Sequence, residues 1–88
     1  MEIKSLMSIL EDEDKVVKNI HLANSLVERY EEELNHVYAY PIECNAKKED
    51  IKRYMALVEK HRAEVAEYEE KLIAIRNEFK NYIMQLFS

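Results

Sequence analysis

The chain has 88 residues, of which 48% are hydrophobic and 35% are charged, and its formal net charge at pH 7 is −5. It contains no Gly, one Pro and one Cys, which excludes glycine-rich phosphate loops and an internal disulfide and disfavours folds built from tight turns. This composition indicates a single all-α domain over residues 1–88. Because the apolar runs are too short for a membrane span or a signal-peptide core, we expect a cytoplasmic protein without membrane contact.

The first predicted helix covers about residues 3–38. Four acidic residues at 11–14 leave its start open, because residues 3–10 could form a separate short helix. We favour one continuous helix capped by Ser5 or Ser8, with Ser8 and Glu11 in the spacing of a capping box. Its apolar stripe has a 3-4 spacing that only Glu13 interrupts: Leu6, Ile9, Val16, Ile20, Ala23, Val27, Tyr30, Leu34 and Val37.

The connection is predicted at residues 39–45, because Pro41 disfavours a helical conformation at Tyr40. Asn45 is the candidate N-cap of a second helix over about residues 46–87. The apolar stripe of this helix is again spaced by three and four, and His61 is its one exception: Ile51, Tyr54, Val58, Val65, Tyr68, Leu72, Ile75, Phe79, Tyr82 and Leu86.

A short connection between two long amphipathic helices predicts an antiparallel, coiled-coil-like hairpin. A turn near residue 44 would place Val27 beside His61. Residues 1–43 carry ten acidic and four basic side chains, whereas residues 44–88 carry eight and nine. The two helices are therefore complementary in charge, with residues 31–33 predicted opposite Lys52 and Arg53 and residues 11–14 near Arg76 and Lys80.

Both helices carry more apolar residues than one hairpin contact can bury. These surplus residues predict association, most simply a homodimer in which two hairpins form a four-helix bundle. A docking groove for a larger protein is the other possibility. The predicted interface consists of Leu10, Val17, Leu22, Leu26, Met55, Leu57, Ile83, Met84 and Phe87.

The sequence offers few residues for chemistry. Glu33 and His36 have the i, i+3 spacing of some metal ligands, but they lie beside the stripe and the motif occurs once. Cys44 has no His or acid at a spacing that would orient a catalytic base toward it. We therefore predict neither a catalytic site, nor a metal site, nor a cofactor, and we do not expect an enzyme.

His61 is the one histidine on an apolar stripe, and Asn24 is predicted to lie within its reach. A buried polar pair of this kind commonly fixes the register of a helical assembly. The alternative is a pH-sensitive joint, because imidazole gains a proton near neutral pH and would place a charge between the helices.

Three classes of function remain after these exclusions. We favour a small non-enzymatic protein–protein interaction module, such as a regulator, an inhibitor or a chaperone-like adaptor. A structural coiled-coil subunit of a homo-oligomer is the alternative, in which self-assembly consumes the same apolar residues. Direct nucleic-acid binding ranks third, because the basic stretch from Lys47 to Arg62 belongs to a chain of negative net charge.

Overall fold

A computed structural model describes residues 5–88 of the chain. It contains helix α1, Leu6–Ala39, and helix α2, Asn45–Leu86, joined by residues 40–44. The described residues contain no strand, and the molecule measures 67 × 17 × 16 Å. The prediction of an all-α, two-helix hairpin is confirmed. Neither helix, within the described residues, is both long enough and apolar enough to cross a membrane.

Helix α1 begins at a side-chain cap and continues without a break. Ser5 is the N-cap, and its hydroxyl accepts a hydrogen bond from the backbone N–H of Ser8 at 3.2 Å. Ser8 therefore lies inside the helix, and the predicted capping box with Glu11 is wrong. The helix runs through residues 11–14, so no helix ends at residue 10; residues 3 and 4 lie outside the described residues.

The connection ends α1 as Pro41 predicts, but α2 starts one residue earlier than expected. Tyr40 is extended, with φ −66° and ψ 125°. Cys44 is the N-cap of α2 and makes no side-chain capping hydrogen bond, whereas Asn45 is the first helical residue. The prediction of Asn45 as cap is wrong, and the reason is solvent exposure: water can satisfy the first N–H groups at this exposed end.

The core is a thin seam between the two helices. Among residues 5–88 its buried hydrophobic residues are Ile9, Ala23, Val27 and Val58, and Ile9 is the one large side chain of this range that is less than 2% exposed. The accessible surface is 7059 Å², against about 5,500 Å² for a compact monomer of this mass. Roughly 1,500 Å² more surface is thus in contact with water than in a globular protein of the same size.

The ring contacts between the helices agree with the predicted register. Tyr30 of α1 stacks on His61 of α2 with ring centroids 5.7 Å apart, and its centroid lies 6.2 Å from that of Tyr54. A turn near residue 44 places Tyr30 opposite Val58, which lies between these two residues of α2. Glu31 of α1 pairs with Arg62, whereas Arg53 pairs with Asp50 of its own helix at 3.3 Å.

Candidate interaction surfaces

Many large apolar side chains outside the seam between the helices are exposed to solvent. Among the described residues, eleven have exposed fractions from 45% to 86%. They are Met7, Leu10, Leu22, Tyr38, Tyr40, Ile42, Met55, Ile73, Met84, Leu86 and Phe87. Of the predicted interface residues, five belong to this set: Leu10, Leu22, Met55, Met84 and Phe87. The other four are half-buried: Val17, Leu26, Leu57 and Ile83.

Two contacts between the helices identify one side of the hairpin. Arg62 pairs with Glu31, and the Tyr38 hydroxyl donates to the Met55 sulfur at 3.9 Å. Tyr38 follows Glu31 by seven residues and Met55 precedes Arg62 by seven, so both contacts lie on the same flank. We call this flank the pair side. Continuing the spacing adds Leu10, Val17 and Asn24 on α1, and Glu69, Arg76 and Ile83 on α2.

An outer row borders the pair side, one turn from it on each helix. On α1 this row contains Met7, Asp14, His21, Glu28 and Asn35, with no Lys or Arg. On α2 it contains Lys52, Glu59, Ala66, Ile73, Lys80 and Phe87. Met7, Ile73 and Phe87 are 70%, 61% and 86% exposed. Together the pair side and its outer row present apolar groups toward both ends of the hairpin and charged groups between them.

The opposite flank exposes less apolar surface. Leu22 is 64% exposed there, whereas Leu26 and Leu57 are half-buried. The nearby positions of the same flank are Lys15 and Arg29, both exposed. The surplus apolar residues are thus concentrated on the pair side and near the ends of the hairpin.

His61 is enclosed by groups that the sequence did not single out. Its side chain is 12% exposed, and Nδ1 lies 3.0 Å from the Glu64 carboxylate, while the ring stacks on Tyr30. Asn24 is exposed on the pair side. The polar contact at Nδ1 thus comes from Glu64 of the same helix, and the pH-sensitive joint stays a prediction. The i, i+3 spacing of His61 and Glu64 was the available sequence signal.

Lys47 has a structural role that the sequence reading missed. It is 7% exposed, and its Nζ donates to the Tyr40 carbonyl at 2.8 Å, the Tyr38 carbonyl at 3.4 Å and the Glu43 carboxylate at 2.7 Å. These carbonyls belong to the end of α1, where backbone acceptors lack helical partners and attract cations. The signal was its position, seven residues before Tyr54 on the apolar stripe.

Glu43 is the third acceptor of Lys47, and we call this set of hydrogen bonds the closure of the connection. The hydrogen bond from the Lys47 ammonium, and next the charge of that ammonium, lower the pKa of the Glu43 carboxyl below its usual value. Since Lys47 is committed to these three acceptors, it does not contribute to an exposed basic stretch. Tyr54 of the same stretch is half-buried and lies 6.2 Å from the Tyr30 ring.

A shallow cavity of about 380 Å³ lies beside the connection. Its walls include His36, Val37, Tyr40, Cys44, Lys47 and Asp50. Cys44 is an exposed free thiol, and His36 Nε2 lies 4.0 Å from Glu32 and not against Glu33. No group of three or more His, Cys, Asp or Glu side chains within residues 5–88 is arranged to hold a metal ion.

We infer function from these surfaces alone, because comparison with known proteins adds no assignment. No protein-family model, no curated protein and no solved structure matches this chain.

Proposed function

We propose that this chain is a small non-enzymatic protein–protein interaction module that docks through its helical faces, as a regulator, an inhibitor or a chaperone-like adaptor does. One observation carries the proposal: in the part of the chain that the structure describes, eleven large apolar side chains are 45% to 86% exposed on a thin rod. Apolar residues at this density on a monomer surface mark interaction sites, because leaving them in water forgoes about 25 cal/mol per Å² of burial.

The chemistry of the exposed residues suits docking to protein. Met7, Met55 and Met84 are unbranched and adapt to irregular partner surfaces. Amphipathic helices bind protein grooves through residues spaced by three, four and seven, which is the spacing of the pair side. The single exposed thiol of Cys44 supports a reducing, cytoplasmic setting for this activity.

A structural coiled-coil subunit is the second candidate. The seven-residue spacing of the pair side favours it, because the spacing continues along both helices as it does in coiled-coil assemblies. The two candidates differ in what remains after self-association. A structural subunit buries its apolar side chains in one closed assembly, whereas an adaptor retains an exposed apolar patch.

Binding of a fluorescent dye that reports exposed apolar surface tests the proposal. We expect dye binding by the wild-type chain, and a clear loss in a variant that combines Met84→Glu with Phe87→Glu. Gln85→Glu is the matched control, since it adds a negative charge at a neighbouring exposed position without removing an apolar group. A wild-type chain that remains monomeric and binds no dye would contradict the proposal, whereas a dimer without dye binding favours the structural subunit.

A further inference from the structure

We propose that the pair side and its outer row are covered by a second copy of this chain. In the resulting two-fold dimer both connections lie at the same end, and α1 of each copy packs against α2 of its partner. This inference rests on the proposed function, because it names the partner and the surface of the same interaction. Area, the distribution of apolar residues and charge each support it.

The excess surface of the hairpin matches what a dimer of this kind buries. One chain exposes 7059 Å², roughly 1,500 Å² more than a compact monomer of its mass. Permanent dimer interfaces bury about 1,000 to 2,500 Å² per chain. A second copy laid along the rod would therefore bring the exposed surface per chain to the range of ordinary globular proteins.

The distribution of apolar residues identifies the pair side as the face that is covered. The pair side has apolar residues toward both ends of the hairpin: Tyr38 and Met55 at one end, and Leu10 and Ile83 at the other. Its outer row adds the exposed side chains of Met7, Ile73 and Phe87. The opposite flank offers Leu22 as its strongly exposed apolar group, next to exposed Lys15 and Arg29. Face-to-face packing of two pair sides therefore buries more apolar surface than packing through the opposite flanks would.

Charge selects the orientation of the two copies. With both connections at one end, the outer row of α1 faces the partner's α2, which places Met7 near the partner's Phe87 and Asp14 near the partner's Lys80. Asp14 and Lys80 are both exposed and opposite in charge, and Asp14 also pairs with Lys18 of its own helix at 2.9 Å. With the connections at opposite ends, α1 faces α1, whose outer row offers Asp14 no Lys or Arg at any offset. Complementary charges across an interface fix register in this way.

A distance between the two copies tests the orientation directly. The one cysteine, Cys44, is exposed next to the connection and accepts a spin label without further mutation. Helices packed side by side have axes about 8–10 Å apart, so pulsed electron–electron double resonance should give about 20–40 Å between labels once label arms are included. Connections at opposite ends of a 67 Å rod would instead give a distance comparable with that length.

The outcomes separate this inference from the proposed function. A short label distance supports the inference, whereas a long one, or a monomer at every concentration, overturns it. A monomer that binds the apolar dye overturns the homodimer and leaves the interaction module standing. A monomer that binds no dye overturns both.

Matched variants test the face. Ile73→Glu and Leu22→Glu each place a charge at an exposed helix-interior site, 61% and 64% exposed. Ile73 lies in the outer row that borders the pair side, and Leu22 lies on the opposite flank. We expect Ile73→Glu to raise the dimer dissociation constant about tenfold or more and Leu22→Glu to change it by less than about threefold. Equal effects of the two substitutions would overturn the assignment of the face, and circular dichroism would verify that both variants remain helical.

An exchange of charges tests the contact between Asp14 and the partner's Lys80. Asp14→Lys and Lys80→Asp should each weaken the dimer, because each places like charges together across the interface. The double variant restores opposite charges at this contact and should recover most of the lost affinity. A double variant as weak as the product of the two single effects would overturn the proposed orientation.

Discussion

Both ends of the hairpin leave apolar side chains in water, but at the connected end polar contacts also join the two helices. Lys47 donates hydrogen bonds to two carbonyls at the end of α1 and to the Glu43 carboxylate. Near the open end Ile9 is buried, but Met7, Met84 and Phe87 are 60% to 86% exposed. The contacts of Lys47 therefore hold the connected end together within one chain, whereas exposed apolar side chains at either end become buried only against a partner.

The two ends differ in the source of their stabilising contacts. One end has them within a single chain, and the other gains them by association. Polar closure at the connected end joins the helices regardless of concentration. Apolar burial at the open end increases only when another molecule covers it. Substitutions at the two ends should consequently respond differently to protein concentration, and the following experiments use that distinction.

The largest loss should come from the buried residue near the open end. Ile9→Ala removes the one large side chain that is less than 2% exposed among the described residues, and we expect a loss of about 2–5 kcal/mol in the free energy of unfolding, measured with urea. Leu22→Ala, at a site 64% exposed, is the control and should cost less than about 0.5 kcal/mol. Similar losses for both would show that the seam near Ile9 is not packed.

Removing the ammonium at the connected end should have the next largest effect. Lys47→Met keeps the aliphatic length but leaves the carbonyls of Tyr38 and Tyr40 without their cation, for an expected loss of about 1–3 kcal/mol in urea unfolding. Lys48→Met, at the exposed neighbouring position, should be nearly neutral. If Lys47→Met is also neutral, the closure does not stabilise the connection.

The same closure predicts a pH dependence that can be isolated with Glu43→Gln. Because Lys47 lowers the pKa of Glu43 in the folded state, the pair stabilises the fold above the ordinary pKa of a glutamate and loses its effect as pH falls through the folded-state pKa. We expect wild type to be more stable than Glu43→Gln at pH 7, with the difference vanishing toward pH 3. A difference that stays constant over this range would rule out the contribution of the Glu43 charge.

The ring contact in the middle of the hairpin should contribute less. Tyr30 and His61 are nearly parallel and 5.7 Å apart between ring centroids. A double-mutant cycle with Tyr30→Leu and His61→Leu should return a coupling of about 0.5–1.5 kcal/mol. A coupling near zero would mean that the two rings are neighbours without a specific contribution from stacking.

The exposed ion pair of the pair side should contribute least within one chain. Glu31→Gln and Arg62→Gln should couple by less than about 1 kcal/mol, since both side chains are accessible to water and salt. The coupling is best measured in dilute protein, at low and at high salt. A coupling that exceeds this range at low concentration would indicate that the pair already lies in a dry environment.

Much of the fold is predictable because the 3-4 spacing of apolar residues specifies the helical faces. The apolar stripes that include Val27 and Val58 predict two amphipathic helices, and Pro41 predicts the position of the connection between them. Periodicity alone leaves the register open, because a continuous apolar stripe remains matched when one helix slides by three or four residues along the other. Contacts such as Tyr30 with His61 decide between these alternatives, and they depend on side-chain shape.

The sequence prediction of the interaction surface was uneven for a related reason. Met84 and Phe87 are exposed, as surplus residues should be, whereas Leu26 and Leu57 are half-buried at the edge of the seam. Flank positions are covered or uncovered according to their neighbours on the other helix, which periodicity alone does not specify. Lys47 was missed because its acceptors are carbonyls at the end of α1, whose positions follow from the path of the connection.

The mass of the chain in solution, measured by light scattering over a hundredfold range of concentration, tests the central claim most directly. We expect a dimer, with about twice the 10.6 kDa mass of one chain and with dissociation toward the monomer only at the dilute end. A mass of one chain at every concentration, together with no binding of the apolar dye, would contradict the claim that this hairpin acts through its exposed helical faces.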